Sequence, residues 1–414
     1  MKVLYLHQHF VTPRGAGGTR SYEMAQRLIE RGHSVTMVCG SINGGHGAVT
    51  GLSGAFTRGV RKGLVDGIWV IELELPYSNA DSFARRSFTF LKFSIRSMLL
   101  VFSERYDLLF ATSTPLTVAI PALAGKWIRR RPMVFEVRDL WPELPRAMGV
   151  ISNPIVLRSL ELLEKAAYRS ASSIIALSPG MAHGIGRVVG TEKNVQIVSN
   201  GCDNSFFSAD DSQAVRPANI DPSALLAVYT GTHGRANGID AVINAAAELK
   251  RRGRNDIVLL LVGAGATKES LEKRVVAENL SNVRFLSPMP KRELAELLSV
   301  ADLGLQILQN VEAFYDGTSP NKFFDYLSAS LPILINYPGW LAKQVTEEGC
   351  GIVVVPDSPT DFADGLEWAA THRNELRSMG AQSRHLAESR FDRDQLGALF
   401  VDTLENALEK SRTK

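Results

Sequence analysis

Short apolar runs alternate along the chain with longer stretches in which apolar residues recur every three to four positions. The runs Val3–Leu6, Ser34–Cys39, Leu108–Ala111, Met133–Val137, Ser173–Leu177 and Val195–Val198 are of strand length. Near-continuous apolarity over so few residues marks strands buried on both faces, and the helical periodicity between them supplies the covering layers. Around 204–223 the pattern stops in a polar, proline-containing stretch. It restarts with Leu225–Thr230, Ile257–Val262, Val283–Leu286, Leu303–Ile307, Pro332–Asn336 and Ile352–Val355. The pattern predicts an α/β protein of two doubly wound, Rossmann-like domains, 1–205 and 206–393, joined by a linker. A closing helix over 394–414 carries Leu396, Leu399, Phe400 and Leu404 along one side. Ligands of such sheets bind beyond the carboxyl ends of the strands, so two facing halves would hold a ligand in the cleft between them.

The length of 414 residues exceeds what one hydrophobic core supports, in keeping with two domains. With 45% apolar and 21% charged residues the chain is an ordinary globular protein, which argues against disorder. Cys39, Cys202 and Cys350 are odd in number and far apart, as expected of free thiols in a reducing compartment rather than a disulfide framework or zinc site. The strand-like Val3–Leu6 leaves no room for a signal peptide, and no stretch is apolar for long enough to span a membrane, so a cytoplasmic protein is expected. The net charge of +3 gives no reason to expect a nucleic acid partner.

The densest chemistry lies in Asp316-Gly317-Thr318-Ser319-Pro320-Asn321-Lys322-Phe323-Phe324-Asp325-Tyr326-Leu327. A hydroxyl cap from Thr318 or Ser319, with Pro320 at the first helical position, predicts a helix start whose free amides form an anion site suited to a diphosphate. Lys322 in the first turn opposes the helix dipole, a conflict that a bound phosphate removes. Asp325 follows at helical spacing and can accept hydrogen bonds from a ribose diol. The alternative is a capped helix with a Lys322–Asp325 surface pair. Gly15-Ala16-Gly17-Gly18 misses the dinucleotide pattern because Arg20 occupies the third glycine position, which disfavours a dehydrogenase. His7 and His9 alternate across the end of the first strand, so they are not expected to converge on a metal.

Taken in order, several motifs resemble the retaining glycosyltransferases of family 4, which have the GT-B fold. They are Gly17-Gly18 after the first strand, Asn200-Gly201-Cys202-Asp203 with Phe206, Gly231 after the first strand of the second half, and Val262-Gly263-Ala264-Gly265. Asn282-Val283-Arg284-Phe285-Leu286, the Ser-Pro-Asn-Lys helix and Leu331-Pro332-Ile333 follow. Val137-Arg138-Asp139-Leu140-Trp141-Pro142-Glu143 resembles the bacterial branch that builds O-antigen, capsule and exopolysaccharide, fucosamine transferases included.

The resemblance implies transfer of a sugar from a nucleotide diphosphate donor, with uridine preferred, to a lipid-linked or saccharide acceptor, with retention at the anomeric carbon. It implies donor binding by Gly17, Gly18, Gly231, Arg235, Thr318, Ser319, Asn321, Lys322 and Asp325. The family's paired glutamates fall on Gly317 and Asp325, leaving Asp316 as a substitute for the first. Its basic diphosphate residues fall near Thr232 and Asn237, neither of them basic, leaving Arg235 between them. Its histidine-aspartate pair falls on Arg138-Asp139, read as sugar or acceptor contacts or as a structural ion pair. With Asp316, these two form the candidate catalytic group. It also implies that the closing helix returns to complete the first, acceptor-side domain. No metal or other cofactor is expected, because helix amides with Lys322 and Arg235 can stabilise the leaving diphosphate.

Two rivals are a sugar-nucleotide epimerase of the same architecture and a non-catalytic nucleotide-sugar-binding partner. The segment Arg85–Phe102 projects Arg85, Lys92 and Arg96 beside an apolar stripe of Phe88, Leu91, Ile95, Leu99 and Phe102. With the basic run Lys126–Arg131, this predicts peripheral contact with an anionic membrane at the inner face of the cell membrane. The competing expectation is that Phe90, Phe93 and Val101 pack the segment against the first sheet.

Overall fold

The computed structural model describes all residues except 16, 43–49, 78–80, 191–193, 208–214, 219 and 414. The chain divides into two compact units. The first comprises Met1–Ser199, Gly317–Ser319 and Asp394–Lys414, and the second Asn200–Asp316 and Pro320–Arg393. The boundary expected at 205/206 lies a few residues beyond this division, and much of the expected linker falls outside the described residues.

The first unit is built on β1 (Lys2–Leu6), β2 (Ser34–Ile42), β3 (Val60–Val65), β4 (Ile68–Tyr77), β5 (Leu108–Thr112), β6 (Met133–Val137), β7 (Ser173–Ala176) and β8 (Val195–Ile197). They form an eight-stranded sheet in the order β3-β4-β2-β1-β5-β6-β7-β8, parallel except that β3 pairs antiparallel with β4. Side chains alternate across β1, and the core divides accordingly. Leu4 and Leu6 pack with Ile71, Leu109 and Phe135 beneath the helices Phe83–Ser103, Ala119–Trp127 and Pro154–Ser170. Val3 and Tyr5 pack on the other face with Met24 and Leu28 of the helix Arg20–Glu30 and with Phe400, Val401 and Leu404 of the helix Arg393–Arg412.

The second unit carries β9 (Leu225–Thr230), β10 (Ile257–Val262), β11 (Val283–Leu286), β12 (Leu303–Gln306), β13 (Ile333–Ile335) and β14 (Gly351–Val353). All pairings in this six-stranded sheet are parallel, in the order β11-β10-β9-β12-β13-β14. Leu225, Ala227 and Tyr229 of β9 pack with Val242, Ala246 and Leu249 of the helix Asp240–Arg251 and with Phe362 and Leu366 of the helix Pro359–Thr371.

Strand order fixes where a ligand can enter. In the first sheet the chain runs outward from β1 through β2 and then resumes at β5 on the other side of β1. In the second, β12 resumes beside β9 after β10 and β11. At such a switch the loops leaving adjacent strands turn in opposite directions and open a crevice at the carboxyl edge.

Candidate active site residues at two sheet edges

The crevice of the second unit is closed from one side by the helix Asn321–Ser328. Tyr326 fixes that helix. Its hydroxyl accepts the Thr230 amide at 2.9 Å, and a Cβ on Gly304 of β12 would lie 2.5 Å from its ring. The helix thereby spans the β9–β12 switch and carries Lys322 to its mouth.

Lys322 is 8% exposed and makes no ion pair among the described residues. Its Nζ sits 4.7 Å from the centre of the Tyr229 ring. A Cβ on Gly231 would come within 3.3 Å of its Cε, and Gly231 has φ +138°, so the β9 loop is held against the lysine by a residue for which a side chain is unsuited. Burial lowers the Lys322 ammonium to about 8. A buried cation without an anionic partner is costly, and a ring face compensates only in part.

Asp325 does not pair with Lys322, so the expected alternative of a surface pair is not what the chain forms. Burial raises the Asp325 carboxyl above its ordinary value, opposed by Lys291 and Arg393. The expected hydroxyl cap is also absent. Pro320 itself occupies the N-cap position with an extended ψ of 132°, no side chain caps the helix, and the first helical residue is Asn321. Thr318 and Ser319 thus lie upstream of the cap and group with the first unit. Asp316 is exposed at the end of the one-turn helix Glu312–Tyr315. Arg235 is exposed in the short turn Arg235–Asn237 after β9, with no side-chain partner among the described residues. Gly238 anchors that turn in a left-handed conformation, φ +59°, where a Cβ would lie 2.6 Å from the Gln309 nitrogen.

One residue of this edge escaped the sequence reading. His233 is fully buried, and neither ring nitrogen has a hydrogen-bond partner. Its ring lies 5.9 Å from those of Tyr229 and Phe285, and burial, with Lys268 adding to it, lowers it to about 4. Its carbonyl accepts from the Thr267 amide and hydroxyl, fastening the β9 loop to the loop after β10. Its local signal is a histidine between Gly231 and Gly234 after a strand.

In the first unit, Gly17 and Gly18 are exposed in the loop after β1, Gly17 with φ +156°. Arg138 and Asp139 follow β6 and do not pair with each other, so the expected structural ion pair is not formed. Arg138 Nη1 lies 3.3 Å from His7 Nε2, and its amide donates to Ser113 Oγ. The Asp139 carboxylate accepts from Thr114 Oγ1 at 2.7 Å and is raised by burial. Arg138 only donates, so His7 Nε2 accepts and the ring is neutral. Burial and Arg138 together hold His7 well below the usual histidine range and His9 at about 4. The His9 ring stands 4.5 Å from Tyr77 and 6.0 Å from Phe90.

Arg20, read only as a failed glycine position, is buried and donates twice to Glu136 Oε1 and to the carbonyls of Val198 and Ser199. Thr112 Oγ1 donates to Glu136 Oε2. This pair ties the start of the helix Arg20–Glu30 to β5, β6 and the chain leaving β8. Among the described residues no three His, Cys, Asp or Glu gather as a metal group. Asp392-Arg393-Asp394 has Asp-x-Asp spacing, but Asp392 accepts from Asn204 and Asp394 from Arg27.

Two α/β units, each built on a largely parallel sheet with a switch point, are the GT-B architecture, and solved structures agree on the fold. Sucrose-phosphate synthase from Thermosynechococcus elongatus superposes with a TM-score of 0.76 at 17% identity, covering 99% of both chains. HepE from Anabaena, solved with UDP and glucose, gives 0.67 at 16% identity, covering 98% of this chain and all of that one. More specifically, residues 15–201 match the glycosyl transferase 4-like domain and residues 211–386 the glycosyl transferases group 1 model, so the chain belongs to the glycosyltransferases that combine these two domains. A probable glycosyltransferase, WbjE, from Pseudomonas aeruginosa is 22% identical over 77% of this chain and 80% of its own length. D-inositol 3-phosphate glycosyltransferase from Nocardia farcinica is 24% identical over 57% of this chain and 52% of that protein.

Proposed function

We propose that this glycosyltransferase moves a sugar from a nucleoside diphosphate donor, preferably a uridine diphosphate sugar, to a lipid-linked or saccharide acceptor in the synthesis of cell-surface polysaccharide. The observation that carries the reading is Lys322, a buried ammonium with no counter-anion among the described residues, in the first turn of a helix that no side chain caps and whose N-terminus suits an anion. A diphosphate satisfies all of these groups at once. Asp325 would take the ribose diol, and Arg235 a phosphate oxygen. That HepE was solved with UDP-glucose supports the choice of donor.

The second unit holds the donor in this reading, and the edge bearing Arg138, Asp139 and His9 faces the acceptor. The acceptor hydroxyl attacks the anomeric carbon on the face from which the diphosphate departs, giving retention. The new carbon–oxygen bond forms as the bond to the diphosphate breaks. Its electron pair goes to the leaving phosphate, which Lys322 and the helix amides stabilise, and the acceptor proton passes to that phosphate. Fixed positive charge thus does at this site what a divalent cation does elsewhere, and transfer is expected without added metal. Acceptor-dependent release of nucleoside diphosphate tests the reading.

The site of action in this reading is the cytoplasmic membrane surface. No described helix is long and apolar enough to cross a membrane. The helix Phe83–Ser103 has two apolar faces. Phe90, Phe93 and Val101 are buried in the first unit, while Phe88, Leu91, Ile95, Leu99 and Phe102 are all exposed. The packing expectation holds for the buried face, and the exposed apolar face is what supports the membrane reading. Trp127 and Ile128 of the neighbouring helix end extend the exposed surface, with Arg130 and Arg131 beside them. Not every basic residue is available for lipid. Arg96 donates to the Gly59 carbonyl, Arg85 pairs with Asp81, and Arg129 caps the helix end through the carbonyls of Val101, Phe102 and Glu104.

The informative variant is accordingly apolar. Replacing Leu91, Ile95 and Leu99 together by Gln removes about 1–2 kcal/mol of insertion energy apiece without touching the core. Wild-type protein is expected to co-sediment with anionic vesicles at low salt and the triple variant to stay in solution. Equal sedimentation of both would remove the membrane from the account.

A further inference from the structure

Arg138 is a half-buried arginine that makes no ion pair among the described residues. Among the described residues, one of its five N–H donors reaches an acceptor, the neutral His7 ring, and no carboxylate lies within 4.0 Å of it. The adjacent carboxylate, Asp139, takes its hydrogen bond from Thr114, and Arg138 acts on it only as a nearby charge without direct contact. The groups on the other sides are Ser113, bonded by the Arg138 backbone, and His9, whose ring is 6.5 Å from His7. Each can hydrogen-bond and none is an anion.

The position is not incidental. Arg138 leaves β6 and reaches over the end of β5 to the residue following β1, so its guanidinium spans the switch point of the first sheet, where a ligand of this fold enters. The contrast with Arg20 is informative. That arginine is also buried, but Glu136 and two carbonyls saturate it, as structural arginines require. Beside Arg138, the rings of His9, Tyr77 and Phe90 cluster, with His9 half-buried, which suits the flat apolar face of a pyranose.

We infer that Arg138 binds an anionic group of the acceptor, a phosphate or a carboxylate, while the His9 ring meets the sugar that bears it. The inference rests on the reading of the first unit as the acceptor side. A planar fork with free N–H groups pairs bidentately with either oxyanion, and a neutral sugar would leave it unsatisfied.

Calorimetric titration of the full chain tests this with three probes: methyl glucoside, glucose 1-phosphate and glucuronic acid. Saturating uridine diphosphate is present throughout, to keep the probes from Lys322. At least one anionic probe is expected to bind about tenfold or more tighter than the neutral glucoside. Which of the two wins identifies phosphate or carboxylate. Arg138→Gln should abolish the preference and Arg138→Lys retain part of it, with uridine diphosphate affinity unchanged in both. No preference in the wild type, or a preference that survives Arg138→Gln, overturns the inference. So does a preference lost in Lys322→Ala but kept in Arg138→Gln, because the anion then occupies the donor site. Failure of uridine diphosphate to bind at all would instead strike the donor reading, and the comparison of Arg138→Gln with Lys322→Ala would still report on Arg138.

Discussion

A chain ending at Arg393 is expected to lose the fold of its first unit. The helix Arg393–Arg412, together with the helix Arg20–Glu30, covers one face of the eight-stranded sheet. Phe400, Val401, Leu404 and Ala407 are at most 2% exposed, and Phe400 meets Phe110 of β5 edge-on with ring centres 5.0 Å apart. Removing three large apolar side chains and their neighbours from that face forfeits roughly 6–10 kcal/mol of burial, comparable to the whole stability of a domain. Polar ties go with it: Arg27 to Asp394, Arg31 to Asp402, and His33 to Glu405 at 2.8 Å. Gly397 lets the helix lie against Arg27, since a Cβ there would be 2.6 Å from the Arg27 Cγ. Scanning calorimetry of the truncated chain should lack a transition present in the full chain. Unaltered melting and activity would show that the helix is dispensable.

Lys322→Ala is expected to weaken uridine diphosphate binding by about 1.5–3 kcal/mol, the worth of a charge-assisted bond to phosphate, and to leave the fold intact. The substitution removes a buried charge, so it should not destabilise the unliganded protein as a core truncation would. The pH dependence gives a second signature. With Lys322 lowered to about 8 in the folded chain and near 10.4 when unfolded, the unfolded chain binds more protons between those values. The Lys322 contribution to unliganded stability therefore rises from pH 8 to about pH 10. Diphosphate affinity should fall over the same interval as the ammonium is lost. Lys322→Met should flatten the difference in both, and isothermal titration at several pH values measures it. Affinity and pH profile unchanged by either substitution would remove Lys322 from the donor site.

The alternation of apolar runs and helical periodicity was sufficient to locate most strands, because strands buried on both faces leave a local imprint. Met133–Val137 and Leu225–Thr230 coincide with β6 and β9. The antiparallel hairpin of β3 and β4 was passed over. Its strands carry Arg61, Lys62 and Glu72 and are not continuous apolar runs, although Asp66-Gly67, both with positive φ, is a strong hairpin turn signal. At the candidate site, Lys322 and Asp325 stood out by type and spacing, but their separate burial did not, since that depends on Tyr229, Gly231 and Tyr326. The bond between His7 and Arg138 and the pair of Arg20 with Glu136 join residues more than a hundred positions apart. No local pattern records such partners, so the sequence shows Arg20 only as a failed glycine position and Arg138 as a contact residue or half of an ion pair.

The central proposal is transfer from a nucleoside diphosphate sugar driven by fixed positive charge in the second unit. The most direct measurement is release of free nucleoside diphosphate from the sugar nucleotide, with EDTA present, with and without a lipid-linked saccharide acceptor. The account predicts release that requires acceptor, persists in EDTA, and is accompanied by a glycosylated product of retained anomeric configuration. Release that ceases in EDTA and returns with a divalent cation, or a product of inverted configuration, would contradict it.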